Sequence, residues 1–198
     1  MIKWQEESYF LPSGRAEYDN VVMDDRIYFI GGIDDIGNPI DTIDCYNAVS
    51  GEVHIAAKLP WPIHHQAAEI MDSIIYVAGG FIFSSGDDKL QLKESSCLIT
   101  FDTRSGKISK KTPLPEAKAA MTLIHHNGCL YAIGGQDGKF RNYQTVYRYN
   151  LKTDQWEKRA DLVYPRNHLT AYSDGKYIYA VGGRYYDGMN IFSVAVSR

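Results

Sequence analysis

The sequence predicts an all-β protein of four repeats, each a sheet of four antiparallel strands. Three observations predict it. Gly-Gly pairs stand at 31–32, 79–80, 134–135 and 182–183, spaced by 48, 55 and 48 residues, each with a tyrosine three residues ahead: Tyr28, Tyr76, Tyr131 and Tyr179. The apolar runs between turn residues are short, about 4–8 residues, which is strand length rather than helix length. Aromatic residues make up 13% of the chain, with 15 tyrosines, a composition that suits pleated, half-buried surfaces.

Each element follows from local chemistry. Residues 1–12, MIKWQEESYFLP, read as an outer strand without a sheet of its own, because Trp4-Gln5-Glu6 matches Trp156-Glu157-Lys158 in type and in distance from the next Gly-Gly. NVVMDD and RIYFIGG supply the first two strands of repeat one. A loop with Gly37 and Pro39 as breakers follows, then Thr42–Asn47 and, after Ser50-Gly51, Glu52–Ala57. Repeat two has Ile63–Met71 and Ile74–Gly80, then the longest loop, 81–96, then Leu98–Asp102 and Lys107–Lys111. A loop of that length in a compact domain is either a binding element or a tolerated insertion. Repeat three has AAMTLIHH, CLYAIGG, a tyrosine-rich run and a Trp-bearing run, with Asp137-Gly138 and Thr153-Asp154 as turns. Repeat four has RNHLTAYSD, YIYAVGG and IFSVAVSR, the last read as its third strand. The strand of residues 1–12 is expected to pair beside Ile191–Val196 and close a ring; the two rivals are an open arc that forms a homodimer and a truncated remnant of a longer ancestor.

Fifteen residues beyond Gly31 and Gly134 stand Tyr46 and Tyr149, each followed by asparagine, and Trp156 lies seven residues beyond Tyr149. In repeat two, Phe101-Asp102 holds the tyrosine's place behind a seven-residue insertion. With this di-glycine, tyrosine and tryptophan pattern the chain resembles the kelch-repeat family over nearly all of its 198 residues, and repeat three is similar to those of BTB-Kelch proteins. The resemblance implies a β-propeller of radially arranged blades, one domain spanning 1–198 with repeats near 13–59, 60–114, 115–164 and 165–198 plus 1–12. Val53 and Ile108 depart from the pattern by replacing the tryptophan in repeats one and two. Stacking blades face to face buries sheet surfaces that a lone sheet leaves wet and keeps strand edges short.

Composition narrows the function classes. A net charge of −3 exerts no general pull toward nucleic acid or anionic membrane, and no apolar run approaches a membrane span. MIKWQEESYF lacks the apolar core of a signal peptide, and three cysteines without paired spacing point to buried thiols and a reducing, cytoplasmic setting.

No catalytic arrangement stands out, and neither a cofactor nor a metal is expected. His64-His65 and His125-His126 are adjacent pairs, and neighbours on a strand face apart. Cys45-Tyr46 adjacency does not reproduce the cross-linked cofactor of kelch-fold oxidases. Asp34-Asp35 and Asp87-Asp88 read as solvated turns. Binding of a protein partner is the stronger reading, with a carbohydrate-active enzyme of oxidase or sugar epimerase type as the alternative. In a propeller, the loops joining second to third strands gather on one face with the segments leading into each blade, and rigid strands with variable loops suit recognition. Arg15, His65, Arg141, Asn142, Arg166, His168, Arg184, Tyr185 and Tyr186 are the candidate partner-binding residues. Arg141, Arg166, Arg184, Tyr185 and Tyr186 are expected side by side as a basic, aromatic sector that docks an acidic peptide. The family resemblance adds two roles for such a face: substrate selection for cullin-type ubiquitin ligases, and actin binding.

Overall fold

The computed structural model describes residues 11, 14–86, 89–187 and 190–193. Repeat one is the four-stranded sheet β1 (Asp19–Met23), β2 (Arg26–Ile30), β3 (Thr42–Asn47) and β4 (Val53–Lys58), in that spatial order. Repeat two is built from β5 (Ala67–Met71), β6 (Ile74–Ala78), β9 (Leu98–Asp102) and β10 (Ile108–Lys110), with the hairpin β7 (Phe81–Gly86) and β8 (Lys89–Glu94) inserted between its second and third strands. Repeat three is β11 (Thr122–His126), β12 (Cys129–Ile133), β13 (Val146–Asn150) and β14 (Gln155–Lys158). Repeat four is β15 (Asn167–Ser173), β16 (Ile178–Asp187) and β17 (Asn190–Ser193). Every pairing among the described strands is antiparallel.

The turns explain why the strands end where they do. The first hairpins of repeats one to three turn at Asp24-Asp25, Asp72-Ser73 and Asn127-Gly128, with φ of 52°, 54° and 48° at Asp24, Asp72 and Asn127. Asp and Asn tolerate that left-handed geometry better than other side chains, and it matches strand twist. The third-to-fourth strand turns use a side-chain acceptor: Asn47 Oδ1, Asp102 Oδ1 and Asn150 Oδ1 accept from the backbone N–H two residues on, at Val49, Arg104 and Lys152. The aromatic column is confirmed by register, with Tyr46 opposite Val53, Phe101 opposite Ile108 and Tyr149 opposite Trp156.

One expectation is corrected. Residues 81–96 are not one long loop but carry the hairpin β7–β8, with Phe81 opposite Glu94 and Phe83 opposite Leu92. An apolar, aromatic run at Phe81-Ile82-Phe83 on one arm and the alternation of Leu90 and Leu92 with polar residues on the other supply the reason. Residues 191–193, expected in the third strand of repeat four, do lie in the third strand of its sheet. Asn190–Ser193 fold back on the continuation of β16 past its glycines, pairing Asp187 with Asn190 and Arg184 with Ser193. Residues 1–10, to which ring closure was assigned, and 194–198 lie outside the described residues.

The core lies between blades rather than at one centre. Val21, Tyr28, Ile30, Ile43 and Cys45 of repeat one pack against Ile63, Ala68, Ile75, Val77, Ile99 and Phe101 of repeat two. The opposite face of repeat two, Ala67, Tyr76, Ala78 and Leu98, packs against Met121, Leu123, Leu130, Ala132 and Tyr149. Ile133, Val146, Leu169 and Ala180 join repeats three and four. The second glycine of the first three pairs stitches blades together: Gly32, Gly80 and Gly135 donate to the carbonyls of Ile63, Lys118 and Arg166 at 2.8, 3.0 and 2.8 Å. A Cβ on the first glycine would stand 2.4 Å from Ile63 O at Gly31, 2.4 Å from Lys118 O at Gly79 and 2.6 Å from Arg166 O at Gly134. Glycine is therefore required there by close backbone approach.

Candidate functional site at the axial cavity

The segments leading into the four innermost strands converge. Glu17, His65, Ala120 and His168 occupy the same place in their repeats, and all four have left-handed φ, at 52°, 55°, 51° and 48°. A non-glycine residue in that region is strained by about 1–2 kcal/mol and persists only where its surroundings hold it. The hold is a relay of main-chain bonds: His65 N–H to Glu17 O, Ala120 N–H to His65 O and His168 N–H to Ala120 O, each 2.8 Å. Beside it lies a cavity of about 290 Å³, lined from all four repeats by residues including Glu17, Asp19, His65, Thr122, His168 and Thr170.

The relay carries three side chains into one cluster. His65 Nε2 lies 3.1 Å from Glu17 Oε2, and His168 Nε2 lies 3.7 Å from the same oxygen. The His65 and His168 rings stand edge to face, centroids 5.3 Å apart. Ligand atoms of Glu17, His65 and His168 all fall within 4.8 Å of one another, so these three residues could hold a metal ion. The sequence reading placed His64 and His65 on opposite faces. Instead their Nδ1 atoms are 2.6 Å apart, because the left-handed turn at His65, ahead of β5, abolishes the strand alternation. Burial pushes His65 down to about 4, helped by His168 and Arg184, and His64 likewise to about 4, helped by His65. Burial and Arg184 also lower His168. All three imidazoles are therefore neutral at neutral pH.

His168 is set by its neighbours. Its Nδ1 bonds Asn167 Oδ1, which also accepts from Arg184 Nε at 3.2 Å. Asn167 in turn donates to Gln136 Oε1 at 2.8 Å and to Asn142 Oδ1. One guanidinium nitrogen of Arg184 lies 3.3 and 3.4 Å from the two His168 ring nitrogens.

The candidate binding residues divide by burial. Arg166 is fully buried, donating to Gly182 O at 3.1 Å and Ala180 O at 3.4 Å. Arg15 is its counterpart, contacting Gly31 O at 3.2 Å and Phe29 O at 3.4 Å and ion-pairing with buried Asp44. Burial withdraws both from any docking surface, so the basic, aromatic sector loses Arg166. Asn142 is tied into the Asn167 network, and Arg184 and Tyr185 are half-buried. Tyr186 lies in β16 opposite Ile191, and its side chain is outside the described residues. Arg141 projects, its side chain 72% exposed, while pairing with Asp137 at 3.1 Å and Tyr143 Oη at 3.0 Å. Beside it Phe140 is 63% exposed. Asp137 Oδ1 shapes this loop by accepting from Lys139 and Arg141 N–H, and Gly138 N–H donates to Glu94 Oε1 of β8 at 2.5 Å. Glu17 belongs to the face that the sequence reading gathers but not to its candidate binding residues; the signal for including it is its repeat position, shared with His65 and His168.

Comparisons with known proteins agree with this architecture. The Kelch motif family matches residues 14–60 and 118–162. Beta-scruin of Limulus polyphemus is 25% identical over 177 residues, covering 87% of this chain and 19% of that protein. Kelch-like protein 40 of Xenopus tropicalis is 26% identical over 176 residues, covering 87% of this chain and 27% of that protein. The chain thus spans about a fifth to a quarter of the length of these relatives. The solved structure of YjhT superposes with a TM-score of 0.79 at 17% identity, covering 94% of this chain and 64% of that one, which shows a shared fold. Repeated di-glycine blades, the aromatic column in register and the motif match make this chain a member of the kelch-repeat family.

Proposed function

We propose that this chain is a protein-binding module whose loop face docks an acidic segment of a partner. The observation that carries it is the loop 136–145, which presents Phe140 and Arg141 outward from a main chain braced by Asp137 and by Glu94 of the neighbouring repeat. An exposed aromatic next to an exposed guanidinium on a rigid scaffold is the kind of anchor that dominates interfaces, and arginine can fork a carboxylate. The Kelch motif match of this chain and its likeness to beta-scruin and Kelch-like protein 40 support the interaction class.

The test is fluorescence anisotropy with labelled Asp/Glu-rich peptides. Binding should saturate and weaken with salt, and Phe140→Ala with Arg141→Glu should reduce affinity at least ~10-fold without moving the melting temperature. Absence of binding, or affinity unchanged in the double variant, overturns the reading.

A further inference from the structure

We propose that Glu17, His65 and His168 form a binding site for one divalent transition-metal ion of the zinc class at the axial cavity. Two imidazole nitrogens and one carboxylate oxygen are a donor set that such ions favour, in the two-histidine, one-carboxylate arrangement that leaves open positions. Both Nε2 atoms already face the same oxygen, Glu17 Oε2, at 3.1 and 3.7 Å, and the ligand atoms lie within 4.8 Å of one another. An ion with donor bonds of about 2.0–2.2 Å needs its donors within about 4.4 Å of one another, so a cluster of this size holds it after closing by no more than a few tenths of an ångström.

The supports behind the ligands fit the same reading. A ligating histidine is usually oriented by a hydrogen bond at its other ring nitrogen. Here His65 Nδ1 meets His64 Nδ1, and His168 Nδ1 meets Asn167 Oδ1. The proton between the two Nδ1 atoms can reside on His65, leaving Nε2 free to ligate. The ligands come from three repeats, and the main-chain relay that spaces them is built of 2.8 Å bonds. The fourth equivalent position is Ala120, whose methyl group leaves that side of the cluster without a ligand and beside the cavity. Arg184 lies 3.3 and 3.4 Å from the two His168 ring nitrogens and is placed to hold an anionic co-ligand, which would screen its own charge from the ion.

Tag-free full-length protein, treated with chelator and then titrated with Zn²⁺ by calorimetry, should bind one equivalent, and Co²⁺ should give visible d–d absorption. Glu17→Gln and His168→Asn should each weaken binding at least ~10-fold, and Asn167→Ala, which removes the orienting bond together with those to Gln136, Asn142 and Arg184, by about 10–100-fold. His126→Asn, at a histidine remote from the cluster on β11, should leave binding unchanged. Since Glu17 is half-exposed, Glu17→Gln should fold like the parent, and its melting curve serves as the control. No stoichiometric Zn²⁺ binding, equal binding by the Glu17 and His168 variants, or loss in the His126 variant would each overturn the proposal. Peptide binding at Phe140 and Arg141 is read separately by anisotropy, so the two proposals stand or fall apart.

Discussion

Lys118, Arg15 and Arg166 occupy one repeat-equivalent place, and all three are buried cations. Arg15 reaches the carbonyls 14 and 16 residues on, at Phe29 and Gly31, and Arg166 makes the same pair at Ala180 and Gly182. Lys118 instead donates to Thr145 O at 3.3 Å and Thr145 Oγ1 at 3.2 Å, and stands 5.0 Å over the Tyr147 ring. Burial pushes Lys118 down to about 8, against the raising effect of Glu116 and Asp161. As pH climbs past that value the folded chain sheds this proton while the unfolded chain, near 10.4, still holds it, so stability rises with pH. Relative to Lys118→Met, the parent should therefore gain stability between about pH 8 and 10, on the order of 2 kcal/mol. Urea denaturation at the two pH values measures it; a constant difference between the proteins refutes a buried titrating lysine. This position also shows what the sequence concealed. Arg166 read as an exposed hot spot because arginine is usually a surface residue. The pointer to the contrary was Ile63, apolar and buried at the matching position of repeat two.

At the level of the blade, the paired glycines decide how closely sheets approach. Gly134 faces Arg166 O of the next blade at 2.6 Å from a would-be Cβ, whereas Gly182 meets nothing within 4 Å among the described residues. Both have left-handed φ, 65° and 64°. Gly182→Ala should therefore cost only the conformational strain, about 1–2 kcal/mol, while Gly134→Ala adds overpacking against main chain and should cost about 3 kcal/mol or more. Chemical denaturation of the two variants compares them. Equal losses would mean that the face of the fourth blade is covered in solution as the others are, whether by a second copy or by closure of the ring. Strand positions were readable because side-chain alternation and turn residues are local. The hairpin β7–β8 was harder to see, since its arms are divided by the polar Ser-Ser-Gly-Asp-Asp run.

For the molecule as a whole, stability resides in three inter-blade cores. Among the described residues no blade has an interior of its own, so each leans on its neighbours, and stability is shared between repeats and their interfaces. Leu130, fully buried in the middle core, tests this. Leu130→Ala should cost about 2–5 kcal/mol and shift one cooperative transition. Two resolved transitions on calorimetry would instead show that the halves on either side fold independently.

The sequence by itself determined the repeat period, the strands outside the β7–β8 hairpin, the glycine pairs and the family, because each is written in local alternation and repeated spacing. Only the tertiary structure decided that Glu17, His65 and His168 share one cluster, and that Arg15 and Arg166 are buried while Phe140 and Arg141 project. Those outcomes depend on left-handed turns and main-chain bonds between repeats, which bring together residues that no local pattern relates.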